Sequence, residues 1–392
     1  MPGSTDEQLL ARLLAELEQE LEHAIALRAR LHAHPELAHA ETWTAQTIDD
    51  ALPRPGERVA GTGRALRVGE AGVPAVAVRA ELDAVPVRER TGAAFAAGGE
   101  AMHACGHDVH MAALVALARA AERLHEELPA PLLALFQPSE EAYPSGAQEL
   151  VEGDLRAAPL RAVVAAHVHP ELPWRSVALD GGVVNASCDA FEIELTGEST
   201  HGAYPHLGRD PVLAIAEVVL ALHARAGRVL DPLAPASLSV GVIEAAGAEN
   251  VIPASARARG ALRAHGSEER VRLRRMLEEV AHGIAQAHGC SARVGIVPGE
   301  PPLENDATLT ERARVLLARA GFAGATAWRS CGSDDFSFFG ALAPLAMAFV
   351  GLDGAPGFTA RPLHHPELLV PDEAVALVAR AQAALYVAAA GR

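Results

Sequence analysis

Three short apolar runs each stop abruptly at groups that bind protons or metals, and this pattern limits the fold more than any other feature. Residues 75–80 lead into Glu81-Leu82-Asp83, and residues 131–136 into Gln137-Pro138-Ser139-Glu140-Glu141. Residues 161–166 lead into His167-Val168-His169-Pro170. Near-continuous runs of Ala, Val, Leu and Phe of this length read as strands buried on both faces, the condition of a parallel sheet. Carboxylates are costly to bury unpaired, so acids at the end of such a strand need partners there. In open α/β sheets the carboxyl edge is where sites assemble. With helical stretches between the runs, the pattern predicts a mostly parallel sheet with helices on both faces. One edge of it would collect Asp83, Glu140, Glu141 and His167.

Between the first two runs lies Met102-His103-Ala104-Cys105-Gly106-His107-Asp108-Val109-His110. Cys105 and His107 flank a flexible Gly106, so both could meet one ion or two neighbouring ions. Thiolate and imidazole are ligands that zinc-like metals prefer. Asp108 stands at the expected N-cap of an apolar, Ala-rich helix over residues 111–124. Alone, the cluster fits a small core cysteine among surface histidines equally well. Glu140 and Glu141 point different ways in extended chain, so one could ligate metal while the other reaches a water.

The remaining order follows from periodicity and turn chemistry. Leu9, Leu10, Leu13, Leu14, Leu17 and Leu21 predict an amphipathic helix over residues 7–30, stopped by Pro35; His32 and His34 at its end could line a cleft, though surface positions are the simpler expectation;. Strands are expected at residues 189–195, 237–245, 257–264 and 291–297, with helices at 210–226 and 268–288. Asp210 and Pro211 supply the cap and first turn of the former. That order, βαββαβ, is a ferredoxin-like unit inserted into the first domain. A helix at 309–320, a cap at Ser333–Phe336, a strand at 344–351 and a helix at 372–389 complete the chain. The Gly/Pro-rich loop 351–362 is the candidate for a movable cleft wall. The expected domains are therefore residues 1–183, 184–297 and 298–392.

Composition narrows function. The 392 residues carry 33 basic and 50 acidic side chains, a net charge of −17, which argues against a nucleic-acid groove or an anionic membrane surface;. Half the residues are hydrophobic but only 4% are aromatic, so the core is built of Ala, Leu and Val. Cys105, Cys188, Cys290 and Cys331 are too scattered for a secreted disulfide framework;. The acidic N-terminus has no apolar signal core, and no uninterrupted apolar run approaches the length needed to cross a bilayer. The expectation is a cytoplasmic protein.

Taken together, the motifs resemble the metal-dependent amidohydrolase branch of the aminoacylase/carboxypeptidase metallopeptidase family. That branch includes hippurate hydrolases, auxin-conjugate hydrolases and N-acyl-amino-acid amidohydrolases. The matching stretches are His32–Leu37, Arg79–Pro86, Met102–Asp108, Gln137–Glu141, His167–Pro170, His201–His206, Asn250–Pro253, Ser333–Ser337 and Leu363–Pro366, in the family's order. The resemblance implies a zinc-peptidase-type catalytic domain interrupted by a lid that usually pairs two subunits, hence a homodimer. It implies two divalent cations, zinc or manganese, with cobalt or nickel as alternatives. Cys105, His107, Glu141, His167 and His364 would be their ligands, with Glu140 the general base and His201 a contributor to the reacting oxygen's site. Asn250, Arg263 and His206 would bind substrate. Relatives carry Asp where Glu81 stands and Glu where Asp334 stands, and more glycine around Ser145-Gly146-Ala147.

The implied reaction is hydrolysis of a small N-acyl amino acid, or a related small amide or dipeptide, to a carboxylic acid and a free amino acid. Two readings compete with it. A thiol hydrolase would use Cys105 as nucleophile, but nearby carboxylates disfavour a thiolate. A relative that kept the ions and lost turnover would have no need of Glu140 beside Glu141.

Overall fold

The computed structural model describes residues 4–231, 233–324 and 327–391. The extreme ends of the expected first and last segments, residues 1–3 and 392, lie outside the described residues. The chain divides into two compact units. The first comprises Met1–Gly182, Glu304–Trp328 and Phe338–Arg392; the second comprises Val183–Leu303 and Arg329–Ser337. The second thus includes a segment expected in the final stretch. Ser330 N–H donates to Val184 O at 2.9 Å, and Ala186 N–H donates to Ser330 O at 3.1 Å, drawing that segment in.

The first unit is built on an eight-stranded sheet. Its order is Glu57–Val59, Gly63–Val68, Leu132–Gln137, Ala75–Glu81, Leu160–Pro173, Leu345–Asp353, Ser176–Ala178 and Ala323–Gly324. The four strands from Leu132–Gln137 to Leu345–Asp353 run parallel. Register aligns their carboxyl ends: Glu81 pairs with Gln137, and Arg79 pairs with Ala165 two residues before His167. The strand expected to end at Ala166 continues to Pro173, because Phe349, Val350 and Gly351 go on pairing with His167, Val168 and His169.

Helices Thr5–Ala33, His107–Arg123, Ala307–Arg319 and Glu373–Ala390 share one hydrophobic cluster with alternate strand residues such as Val76, Val78, Ala134, Phe136, Val164 and Ala348. The long helices therefore gather on one face, not on both as expected. The crossover running back from Leu132–Gln137 to Leu160–Pro173 contains only the short helix Gly146–Glu152, whose buried Ala147 and Leu150 lie outside that cluster. Glu373–Ala390 has the length and mean hydropathy of a membrane span, although Arg380 and Gln382 interrupt its apolar run. It is largely apolar because it is a core helix, with Val375, Val378, Leu385 and Tyr386 fully buried;.

The second unit has a four-stranded antiparallel sheet in the order Ala236–Ala245, Ser255–Ala264, Ser187–Thr196, Ser291–Pro298. Helices Pro211–Val229 and Ser267–Ala287 pack Ile215, Val218, Leu222, Leu273 and Leu277 against Phe191, Ile193 and Ala258. Asp210 caps the first helix, accepting from Val212 N at 2.8 Å and Leu213 N at 3.2 Å. Asp189, fully buried, is held by Arg274 Nε at 2.7 Å and by Arg270 Nε at 3.0 Å. A small ribbon, Thr200–His201 against Val251–Ile252, was not expected from the pattern.

Candidate metal centre

The helix that follows the Cys/His turn begins at His107, earlier than expected, and its N-cap is Gly106, in the left-handed region at φ 86°. Asp108 is therefore no cap. Its side chain turns inward and pairs with Arg28 and His32. A β-carbon on Gly106 would collide with Val168 Cγ2, so only glycine lets the chain turn here and present Cys105 and His107 side by side;.

The two buried imidazoles are oriented alike. His107 Nδ1 lies 2.8 Å from the Asp83 carbonyl oxygen, and His167 Nδ1 lies 2.6 Å from that of Val168. A carbonyl only accepts, so each Nδ1 carries a proton, and in the neutral ring each Nε2 is left as a lone pair. His107 Nε2 is buried with no hydrogen-bond partner. It faces Glu140 at 3.8 Å and Glu141 at 4.0 Å. His167 Nε2 lies 3.5 Å from Cys105 Sγ.

His364 enters from the far end of the chain. Its N–H donates to Ala104 O at 2.8 Å, and its Nε2 lies 3.0 Å from Glu141 Oε1. Asp83 Oδ2 accepts the Glu141 N–H at 2.9 Å, which sets the acidic turn against the imidazoles. Ser139 N–H is held by buried Glu41 at 2.9 Å, and Gly146 N–H by Ser139 O at 2.9 Å. Gly146 is the essential glycine of that stretch, since a β-carbon there would run into Pro138 O.

Donor atoms of Cys105, Glu141 and His364 lie within 4.8 Å of one another, as do those of His107, Glu140 and Glu141. The two groups share Glu141. Five residues separated by up to most of the chain, Cys105, His107, Glu141, His167 and His364, are thus gathered in the first unit. Burial pushes the Cys105 thiol well up, and Glu141 and Glu140 push it the same way. Burial also holds His167 well below the usual imidazole range, so that ring is neutral. A thiolate among carboxylates needs a cation to offset the charge, and a neutral imidazole with a bare Nε2 is ready to ligate one. The donor set fits divalent metal.

His103, from the same turn, is buried with neither ring nitrogen hydrogen-bonded, and burial lowers it to about 3. His32 was expected at the surface but is buried, with Nδ1 2.9 Å from Asp108 and Nε2 3.2 Å from Glu89. His34 is exposed, as expected, and lies against Trp43. Arg28 and His32 are four apart on the helix face that also holds Leu27 and Leu31, a signal that could have revealed a buried polar pair;. The loop expected to begin at Gly351 begins after Asp353, and Phe358 anchors it on the core cluster.

In the second unit, His201 and Asn250 meet at the ribbon: His201 pairs with Val251, and Gly202 N–H donates to Asn250 O at 2.7 Å. His201 Nδ1 accepts the Ala203 N–H at 3.1 Å, so the neutral ring carries its proton on exposed Nε2. His206 lies in the exposed turn Pro205–Leu207. Arg263 stands on the four-stranded sheet and donates to Cys331 O at 3.0 Å. Asp334 accepts the Phe336 N–H at 2.8 Å, the capping contact expected there.

The sequence profile of peptidase family M20/M25/M40 matches residues 77–386. The N-acetyl-L-cysteine deacetylase of Bacillus subtilis (strain 168) is 32% identical over 368 residues, covering 92% of this chain and 86% of the relative. The N-acyl-L-amino acid amidohydrolase of Geobacillus stearothermophilus is 33% identical over 302 residues, covering 76% of this chain and 80% of the relative. Among solved structures, a Bacillus subtilis protein described as a dinuclear metal binding peptidase from the M20 family aligns with a TM-score of 0.82 at 28% identity, covering 94% of this chain and 98% of that one.

Proposed function

The chain belongs to peptidase family M20/M25/M40, and on that premise we propose that it hydrolyses the amide bond of N-acyl amino acids, using two divalent cations held in the first unit. The observation that carries this reading is the pair of donor groups sharing Glu141, the second of which also holds Glu140.

Cys105, His107, Glu141, His167 and His364 are the proposed ligands. Bound cations would supply Lewis acidity to the attacking water and to the amide carbonyl. Glu140 takes the proton of the attacking water and passes it to the leaving nitrogen. Its place among the donors, 3.8 Å from His107 Nε2, supports that role by putting a carboxylate within reach of a water held there. His201 is the proposed donor to the tetrahedral oxyanion, supported by the proton its hydrogen bond leaves on Nε2;. Asn250, Arg263 and His206 are proposed to meet substrate polar groups; exposed Asn250, on the same ribbon as His201, has the strongest support.

A thiolate ligand favours zinc, while the imidazole and carboxylate ligands suit manganese as well, with cobalt and nickel as further fits. A homodimer through the second unit is supported by Leu213 and Leu220, exposed seven apart on one helix. Free thiols at all four cysteines fit a reducing, cytoplasmic setting;.

The test is hydrolysis of N-acetyl and N-benzoyl amino acids by chelator-treated protein, resupplied separately with zinc, manganese, cobalt and nickel. Turnover should vanish with the metal and return with at least one of the four. Turnover that survives metal removal and dies on thiol alkylation would establish Cys105 chemistry instead. Metal content without turnover on any acyl donor would establish a non-catalytic relative.

A further inference from the structure

The buried residues Glu81, His107, His110 and His167 bring donor atoms within 4.8 Å of one another, so distance alone nominates His110 as a metal ligand. Its hydrogen bonds oppose that. A backbone N–H can only donate, and Val168 N–H points at His110 Nε2 from 3.0 Å;. That nitrogen carries no proton, and its lone pair is taken. The proton of the neutral ring sits on Nδ1, 2.8 Å from Glu81 Oε2.

Glu81 is itself held. It pairs with Arg79, whose Nε donates to Gln137 Oε1 at 2.9 Å. Arg79, Glu81 and His110 are all buried, so little competes with these bonds;. The His110 ring meets the His167 ring edge-on, centroids 4.5 Å apart, and is also tied to it by hydrogen bonds through Val168. Val168 gives its N–H to His110, and its carbonyl accepts from His167 Nδ1 at 2.6 Å. Registered pairing between Ala75–Glu81 and Leu160–Pro173 ends at Arg79 and Ala165, and His110 supplies an acceptor beyond that point.

We propose that His110 is a positioning residue: locked by Glu81 into the Nδ1–H form, it holds Val168 and so sets the direction of the His167 imidazole, while remaining off the cations. This rests on the metal-hydrolase reading only in giving His167 a ligand's role.

Two kinds of measurement test it on the full chain. The first is long-range proton–nitrogen correlation spectroscopy of the metal-free protein. It should show a protonated Nδ1 and bare Nε2 at His110, and altered His167 ring signals in His110→Asn, whose amide reaches Glu81 but not Val168. A protonated Nε2 at His110, or His167 signals indifferent to the substitution, would overturn the inference whether or not the protein binds metal. The second is zinc competition with a chromophoric chelator. His110→Asn should keep two cations at saturation but bind one of them about 10- to 100-fold more weakly. His110→Gln, whose carbonyl can accept from Val168 N–H, should recover most of that loss. Loss of a whole metal equivalent in both variants, with a changed cobalt absorption spectrum, would make His110 a ligand and sink the proposal. Absence of metal binding by the unaltered protein would sink the proposed function, leaving the spectroscopic test of His110 standing.

Discussion

Arg28 Nε donates to Asp108 Oδ2 across 2.7 Å, linking two side chains that are each about 1% exposed. The same guanidinium donates to Asp372 Oδ1 at 2.8 Å and to Val370 O at 3.0 Å. One side chain therefore ties the first helix, the helix that carries His107, and the entry to the last helix. Arg28 also lies over the Phe95 ring, 4.8 Å from its centroid;.

Arg28→Met should destabilise the first unit by about 3–5 kcal/mol, because it leaves the Asp108 carboxylate buried without its main partner. Urea unfolding followed by circular dichroism checks this. Arg28→Lys should recover only part of the loss, since an ammonium cannot reproduce three donors in a planar fork. Full stability in Arg28→Met would show that the pair contributes nothing.

His32 should make stability depend on pH. Both ring nitrogens face carboxylates, and two acceptors call for an imidazolium. Burial works against that charge, but Asp108 and Glu89 outweigh it and raise the group from 6.5 to about 9. Because the folded value is the higher one, the stabilisation is complete below pH 6.5 and is lost as pH rises through 9. Its ceiling is roughly 3 kcal/mol. Unfolding free energy measured from pH 6 to 10 should fall for the unaltered chain and fall less steeply for His32→Gln. Parallel curves would exclude the imidazolium.

Gly106→Ala should abolish metal binding. An alanine forced into the left-handed region costs about 1 kcal/mol or more, and its β-carbon must also displace Val168. Relieving the clash moves Cys105 away from His107, or Val168 away from His167. Elemental analysis of the purified variant is the check, and two metals bound at ordinary affinity would refute it.

Glu140→Gln and Glu141→Gln should fail differently. The first removes the proposed base, and turnover should fall by at least about 100-fold, with two metals still bound. The second removes a shared donor, and metal content itself should fall. Parallel assays of activity and metal stoichiometry separate them. Equal metal loss in both would move Glu140 into the ligand set.

Much of this protein was legible along the chain. Buried parallel strands announce themselves by unbroken apolar runs, and the order of strands and helices in residues 184–297 follows from periodicity and from the cap at Asp210. The family resemblance singles out Cys105, His107, Glu141, His167 and His364, and the fold places all five in the first unit. These features are local, or are carried by short signatures whose residue types leave little choice.

Other assignments needed the tertiary structure, because a side chain's role depends on which partner arrives from elsewhere. Asp108 has the residue type and place of a helix cap, yet Arg28 and His32 claim it. His110 has the chemistry of a ligand, yet a backbone N–H from Val168 occupies its lone pair. Residue type states what a group can donate or accept. Only the packed chain, in which buried polar groups must find partners among whatever lies within about 3 Å, decides which of those capacities remains free for chemistry.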